Sequence, residues 1–203
     1  MLAILVPFLL STALQEGDRW TIERTTGYTQ ASGRADAKNV DSLSYRVLQA
    51  GPEFTAVSCE VIPTESSRSK PSKRVTSFKP NGVLLSREDA SDPNIERISR
   101  MEWTATEARQ GIAWSRNWPT SSDLLEAKVI VKPTARAVDE TTMSVTYKEG
   151  EAVKCVATIK ILNNVRIVED LTVTISNVEV PGSTKPGSLF VTEKLKEIHL
   201  VTR

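Results

Sequence analysis

Apolar and polar residues alternate through most of the stretch from Met143 to Val180, which is the period of half-buried antiparallel strands rather than of a helix. Met143, Val145 and Tyr147 fall on one face and Ser144, Thr146 and Lys148 on the other. Glu149-Gly150 supplies a turn, and a second arm follows with Val153, Cys155, Ala157, Ile159 and Ile161 on one face. Asn163-Asn164 is a further turn signal, after which Leu171, Val173 and Ile175 alternate with Thr172, Thr174 and Ser176 until Pro181-Gly182 ends the run.

The same period recurs elsewhere. Trp20 and Ile22 mark a first short strand, and Gly33 to Asp41 reads as a loop. Leu43 to Leu48 and Phe54 to Ile62 form a hairpin joined at Gly51-Pro52. Pro63 to Arg74 is rich in Ser and Pro with Arg68, Lys70, Lys73 and Arg74 interspersed, a solvated loop by composition or else a small anion-binding patch. Asn81-Gly82 between Val75–Phe78 and Val83–Leu85 predicts a third hairpin. Asp92-Pro93 has the form of a helix start, with Ile95, Ile98 and Met101 along one face of a short helix. Leu125, Ala127, Val129 and Val131 alternate in a strand that Pro133 should stop. The last segment, from Ser188, fits a helix through Val191, Leu195 and Ile198, or two short strands with a turn; the strands are favoured.

The expected fold class is therefore mainly β: a curved antiparallel sheet forming an open half-barrel with one or two short helices, the alternative being a two-sheet β-sandwich. With 203 residues, 39% of them hydrophobic, the chain suits one domain with a sizeable core. A formal net charge of +1 gives no reason to expect a nucleic-acid partner. Residues 1–13 read MLAILVPFLLSTA, an apolar run too short to span a bilayer that ends in small residues, with Ser11 and Ala13 placed as a signal-peptidase site requires. We read 1–13 as a secretory signal and 14–203 as a single β-rich domain, exported to the periplasm or beyond the cell, with no transmembrane segment after signal removal.

The chemistry-bearing residues are few. No G-x-S-x-G, H-E-x-x-H, phosphate-binding glycine loop or calcium loop is present, so no catalytic residue, metal site or cofactor is implied. The one histidine, His199, reads as solvated, and the acidic pairs Asp139-Glu140 and Glu169-Asp170 fall in expected turns. Cys59 and Cys155, the only cysteines, each end an Ala-Val-x-Cys string that opens the outgoing arm of a hairpin, a faint sign of two related halves. In an exported chain they are candidates for a disulfide, which would contribute about 4 to 5 kcal/mol at most through the unfolded state; two separately buried thiols read the same way in sequence. The concentration of unusual residues is Met101 to Pro119, with Trp103, Trp114 and Trp118 beside Arg109 and Arg116. These five are the ligand-contact candidates, because flat aromatic faces next to polar groups bind sugars or apolar ligands; the plainer reading is that the rings plug one end of the sheet.

A signal sequence, many antiparallel strands and little helix resemble bacterial envelope proteins of the lipoprotein-carrier type in pattern, without a shared motif. That resemblance implies an apolar-lined curved sheet sheltering an acyl chain. The expectation is a non-enzymatic envelope protein that binds or carries a lipid or other apolar ligand in the concavity. Two other classes stand beside it: a carbohydrate-binding or adhesion module using the tryptophan segment, and a hydrolase with carboxylates from separate strands.

Overall fold

The computed structural model describes residues 14–33, 38–51, 54–65, 67, 70–78, 82–83, 103–104, 114–119, 126–136, 140–149, 151–162, 165 and 167–202. The strands, in chain order, are β1 (Arg19–Thr29), β2 (Asn39–Ala50), β3 (Thr55–Pro63), β4 (Ser72–Phe78), β5 (Gly82–Val83), β6 (Trp103–Thr104), β7 (Trp114–Pro119), β8 (Glu126–Arg136), β9 (Glu140–Glu149), β10 (Ala152–Leu162), β11 (Ile167–Val178) and β12 (Gly187–His199). Ten of them form one sheet in the order β4-β3-β2-β1-β12-β11-β10-β9-β8-β7, antiparallel throughout. β4 and β7 lie at its two ends, so the sheet is open rather than closed into a barrel, and its ten strands are one hydrogen-bonded sheet rather than the two of a sandwich. The strands are successive hairpins except at the centre, where the last strand, β12, is inserted between β1 and β11.

The hairpins at Met143–Leu162 and Leu43–Ile62 are present, and β10 pairs with β11; the Asn163-Asn164 turn signal between them lies outside the described residues. Other expectations are corrected. Among the described residues, Gly82 and Val83 pair with Thr104 and Trp103 in a separate two-stranded sheet rather than with Val75–Phe78, while β4 pairs with β3; Asn81, Leu84 and Leu85 lie outside the described residues. The turn signal was local, whereas β4 takes its place in the meander through seven residue pairs with β3. Ser72 to Arg74, read as the end of a loop, begin β4. Pro133 does not stop β8, which passes it at a register shift between Pro133 and Ala135, the irregularity where a residue lacking an N–H is tolerated.

The C-terminal segment is one continuous strand rather than two. β12 pairs with β1 on one side and β11 on the other, and its register on β1 slips between Thr21 and Ile22, whose partners are Glu197 and Leu195. That bulge accounts for the ambiguous spacing: with Lys196 left over, Val191, Leu195 and Ile198 are helix-like in number although all belong to one strand. The expected helix from Asp92 to Met101 lies outside the described residues, as does residues 1–13, read as the signal.

One face of the sheet is buried across its middle. Trp20 and Ile22 of β1, Leu43, Tyr45 and Val47 of β2, and Val57, Cys59 and Val61 of β3 form one cluster with Leu14, Val165 and Ile167. Because Val165 and Ile167 stand at the start of β11, beyond β12, the sheet must curl for them to join residues of β3 in one core. Leu171, Val173 and Ile175 of β11, Leu189 and Val191 of β12, and Cys155, Ala157, Ile159 and Ile161 of β10 continue the buried face. The opposite face carries Thr172, Thr174 and Ser176, all exposed.

Candidate functional site

The ladder registers allow the buried face to be followed from strand to strand. One row runs Val191–Val173–Ala157–Val145–Val131 and reaches Trp114 of β7. The next runs Leu189–Ile175–Cys155–Tyr147–Val129 and reaches Arg116. A third runs Ala152–Glu149–Ala127 and reaches Trp118. Trp114, Arg116 and Trp118 thus occupy alternate positions of the end strand, about 7 Å apart along it; the rows of Trp114 and Arg116 lead back to apolar residues buried on β10 to β12, whereas the row of Trp118 leads to Glu149 and the exposed Ala152.

Of the five ligand-contact candidates, the fold therefore brings three together in one strand. Trp103 belongs to the separate β5-β6 pair, and Arg109 lies outside the described residues. The sequence clustered these residues by proximity along the chain; their alternation in WSRNWP carried the strand signal that grouping by proximity passed over.

A second feature was missed. Arg24, Asp41 and Glu193 are buried charges, each 1–2% exposed. Arg24 of β1 stands in register with Asp41 of β2 on one side and Glu193 of β12 on the other. The Arg24 Nε donates to Glu193 Oε1 at 2.9 Å, and Asp41 Oδ1 accepts from Ser67 Oγ at 2.6 Å. The signal was present: each charge occupies a position whose parity is otherwise apolar, Trp20-Ile22-Arg24, Asp41-Leu43-Tyr45 and Leu189-Val191-Glu193.

Cys59 and Cys155 are both buried thiols, and neither forms half of a disulfide. They stand on β3 and β10, with β2, β1, β12 and β11 between them in the sheet. Burial pushes the Cys155 thiol up to about 12, so it is neutral and poorly nucleophilic at ordinary pH. Of the acidic pairs, Glu169 and Asp170 lie in β11 rather than in a turn. Glu169 and Glu140 converge on the Lys160 ammonium at 2.7 and 3.0 Å, and these hydrogen bonds, that of Glu169 first, raise the Lys160 pKa. The triplet is partly exposed and spans neighbouring strands as a surface ion network. His199 is exposed, 3.7 Å from Glu197.

Among the described residues no group of three or more His, Cys, Asp or Glu side chains is placed to hold a metal ion, and no helix is long and apolar enough to cross a membrane. No protein-family model matches the chain, and no curated protein does. Among solved structures it is similar to a candidate exported protein with a YmcC-like fold from Bacteroides fragilis, at 12% identity and a TM-score of 0.37, covering 91% of this chain and 98% of that one.

Proposed function

We propose that this chain is a non-enzymatic exported protein whose open sheet binds an apolar ligand at the β7 end of its inner face. The observation that carries the reading is the continuity of register: the rows buried as Val191, Val173, Ala157 and Leu189, Ile175, Cys155 lead strand by strand to Trp114 and Arg116 at the sheet's end. Aliphatic rows leading to tryptophans are suited to binding hydrocarbon, since transfer of apolar surface from water drives the association without directional chemistry. Export follows from the apolar leader at 1–13 with its small residues at Ser11 and Ala13.

The test is emission of the apolar dye phenylnaphthylamine on titration into the purified mature chain, with native mass spectrometry of the same preparation. The dye is expected to brighten on binding, and Trp114→Ala combined with Trp118→Ala should weaken it about tenfold, each ring contributing apolar area. A dye that stays dim, with no co-purified apolar molecule, would remove the reading. Displacement of the dye by glycans but not by alkyl chains would transfer the site to a carbohydrate module.

A further inference from the structure

We infer that the seam between β1 and β12 is the last part of the sheet to form, so that the chain stays as two separate meanders until β12 is available to close them. Every described ladder of the ten-stranded sheet joins strands that follow one another in the chain, except this one. β1 to β4 make one meander and β7 to β12 another. They meet where β1 and β12 lie side by side through eleven residue pairs, from Arg19↔His199 to Thr29↔Ser188. Hairpin ladders close short loops, whereas this ladder brings together residues as far apart in sequence as Arg24 and Glu193, 169 positions, so its loop entropy is lost before its contacts are gained.

The bonds that hold the seam do not exist inside either meander. Asp18, buried just before β1, accepts from the Val201 N–H through Oδ1 at 2.8 Å. Arg24 donates to Glu193 on the buried face, and the Lys196 ammonium lies 2.8 Å from Glu23 Oε1 on the seam's more exposed side. Phe190 of β12 covers Gly27 of β1. The buried pair also selects the correct closure. β1 and β11 are both antiparallel to β12 and so run parallel to one another, and the buried Leu171, Val173 and Ile175 of β11 offer no carboxylate. Docking of β1 directly on β11 would therefore forfeit the bond from Arg24 to Glu193. Synthesis reaches β12 after every other described strand, so a growing chain has no seam. That order suits a chain that must stay open to cross a membrane.

The experiment is pulsed hydrogen exchange during refolding of residues 14–203 from urea, read amide by amide by NMR. Amides bonded across β2–β3 and β9–β10 should become protected first, and those bonded across β1–β12 about tenfold more slowly or slower still. Refolding and unfolding rates of two variants give a second reading. Ile159→Val, within the hairpins of β9, β10 and β11, should slow refolding, whereas Glu193→Leu, in the seam, should leave refolding within about twofold and speed unfolding. Seam amides protected together with the hairpin amides, or before them, would overturn the inference. So would refolding that is indifferent to Ile159→Val, or that Glu193→Leu slows more than it speeds unfolding. Both measurements are made in vitro without ligand, so their outcome is independent of export and of binding at β7.

Discussion

Arg24 donates through Nε to Glu193 Oε1 at 2.9 Å although neither side chain is more than 2% exposed. The pair sits in a row that crosses eight strands: Pro63, Asp41, Arg24, Glu193, Leu171, Ile159, Met143, Pro133. Burying such charges is costly, and the cost is offset only while each retains its partners. Glu193→Leu removes the carboxylate to which Arg24 Nε donates, whereas Arg24→Met leaves Glu193 and, in register on the other side, Asp41 as buried carboxylates flanking a neutral residue. Both single changes should lower stability by about 3 to 5 kcal/mol, Arg24→Met by more. The double change should cost less than the two added together, because it removes both charges of the pair. Urea unfolding of the four proteins measures this coupling. Additive losses would mean that the two charges do not stabilise one another.

How far the fold was legible follows from the same row. Alternation predicted β1, β2, β3, β9, β10 and β11 because each has one buried face, and apolar parity passes directly into the core, as Leu43, Tyr45 and Val47 show. The long-range pairing was not legible. Nothing local to Ser188–His199 says that it lies between β1 and β11, and the bulge at Lys196 disguised its period. Asn81-Gly82 misled for the complementary reason, since a turn signal reports what a short segment prefers and not which strand it pairs with, here Thr104 and Trp103 for the described Gly82 and Val83. For the site, composition found the tryptophans, but only the strand register separates Trp114, Arg116 and Trp118 from Trp103.

Two glycines should respond differently to alanine. A Cβ on Gly27 would clash with the tip of the Phe190 ring, which covers this glycine from the neighbouring strand. One on Gly187 would clash with the Thr29 carbonyl oxygen and lie 2.7 Å from a Val180 methyl. A half-buried ring can swing away, but a ladder carbonyl cannot move without opening the sheet. Gly27→Ala should therefore cost about 1 to 2 kcal/mol and Gly187→Ala clearly more, within the overpacking range. Thermal unfolding of both variants checks the order, and equal losses would contradict it.

Cys155 gives an alkaline limit to stability. Its thiol ionises near 9.0 when unfolded and is pushed up to about 12 in the fold by burial. Below pH 9 the group is protonated in both states and contributes no pH dependence. Between those values the unfolded chain loses the proton while the folded chain retains it, so stability falls as pH rises, by at most about 1.4 kcal/mol per pH unit. Cys155→Ala or Cys155→Val should flatten that part of the stability profile. Iodoacetamide at pH 8 should leave Cys155 unmodified in the native protein and alkylate it in denaturant, as intact mass will show. Rapid native alkylation would mean that the thiol is reached by solvent.

Trp20 and Tyr45 face one another across β1 and β2 with ring centroids 5.0 Å apart and planes 4° from parallel. Both are buried, in a cluster that also holds Cys59, the register partner of Tyr45 on β3. The stack anchors the half of the sheet farthest from β7, so it serves stability rather than the proposed site. Trp20→Ala should cost about 3 to 5 kcal/mol, a large share of a typical domain's stability. Trp20→Phe retains a ring on Tyr45 and should cost less. It also removes the buried indole from the emission spectrum, leaving Trp103, Trp114 and Trp118. The emission change produced by an alkyl ligand should persist in Trp20→Phe and disappear in the Trp114→Phe, Trp118→Phe double variant. The reverse result would place the ligand against the β1-β2 stack and overturn the assignment of β7.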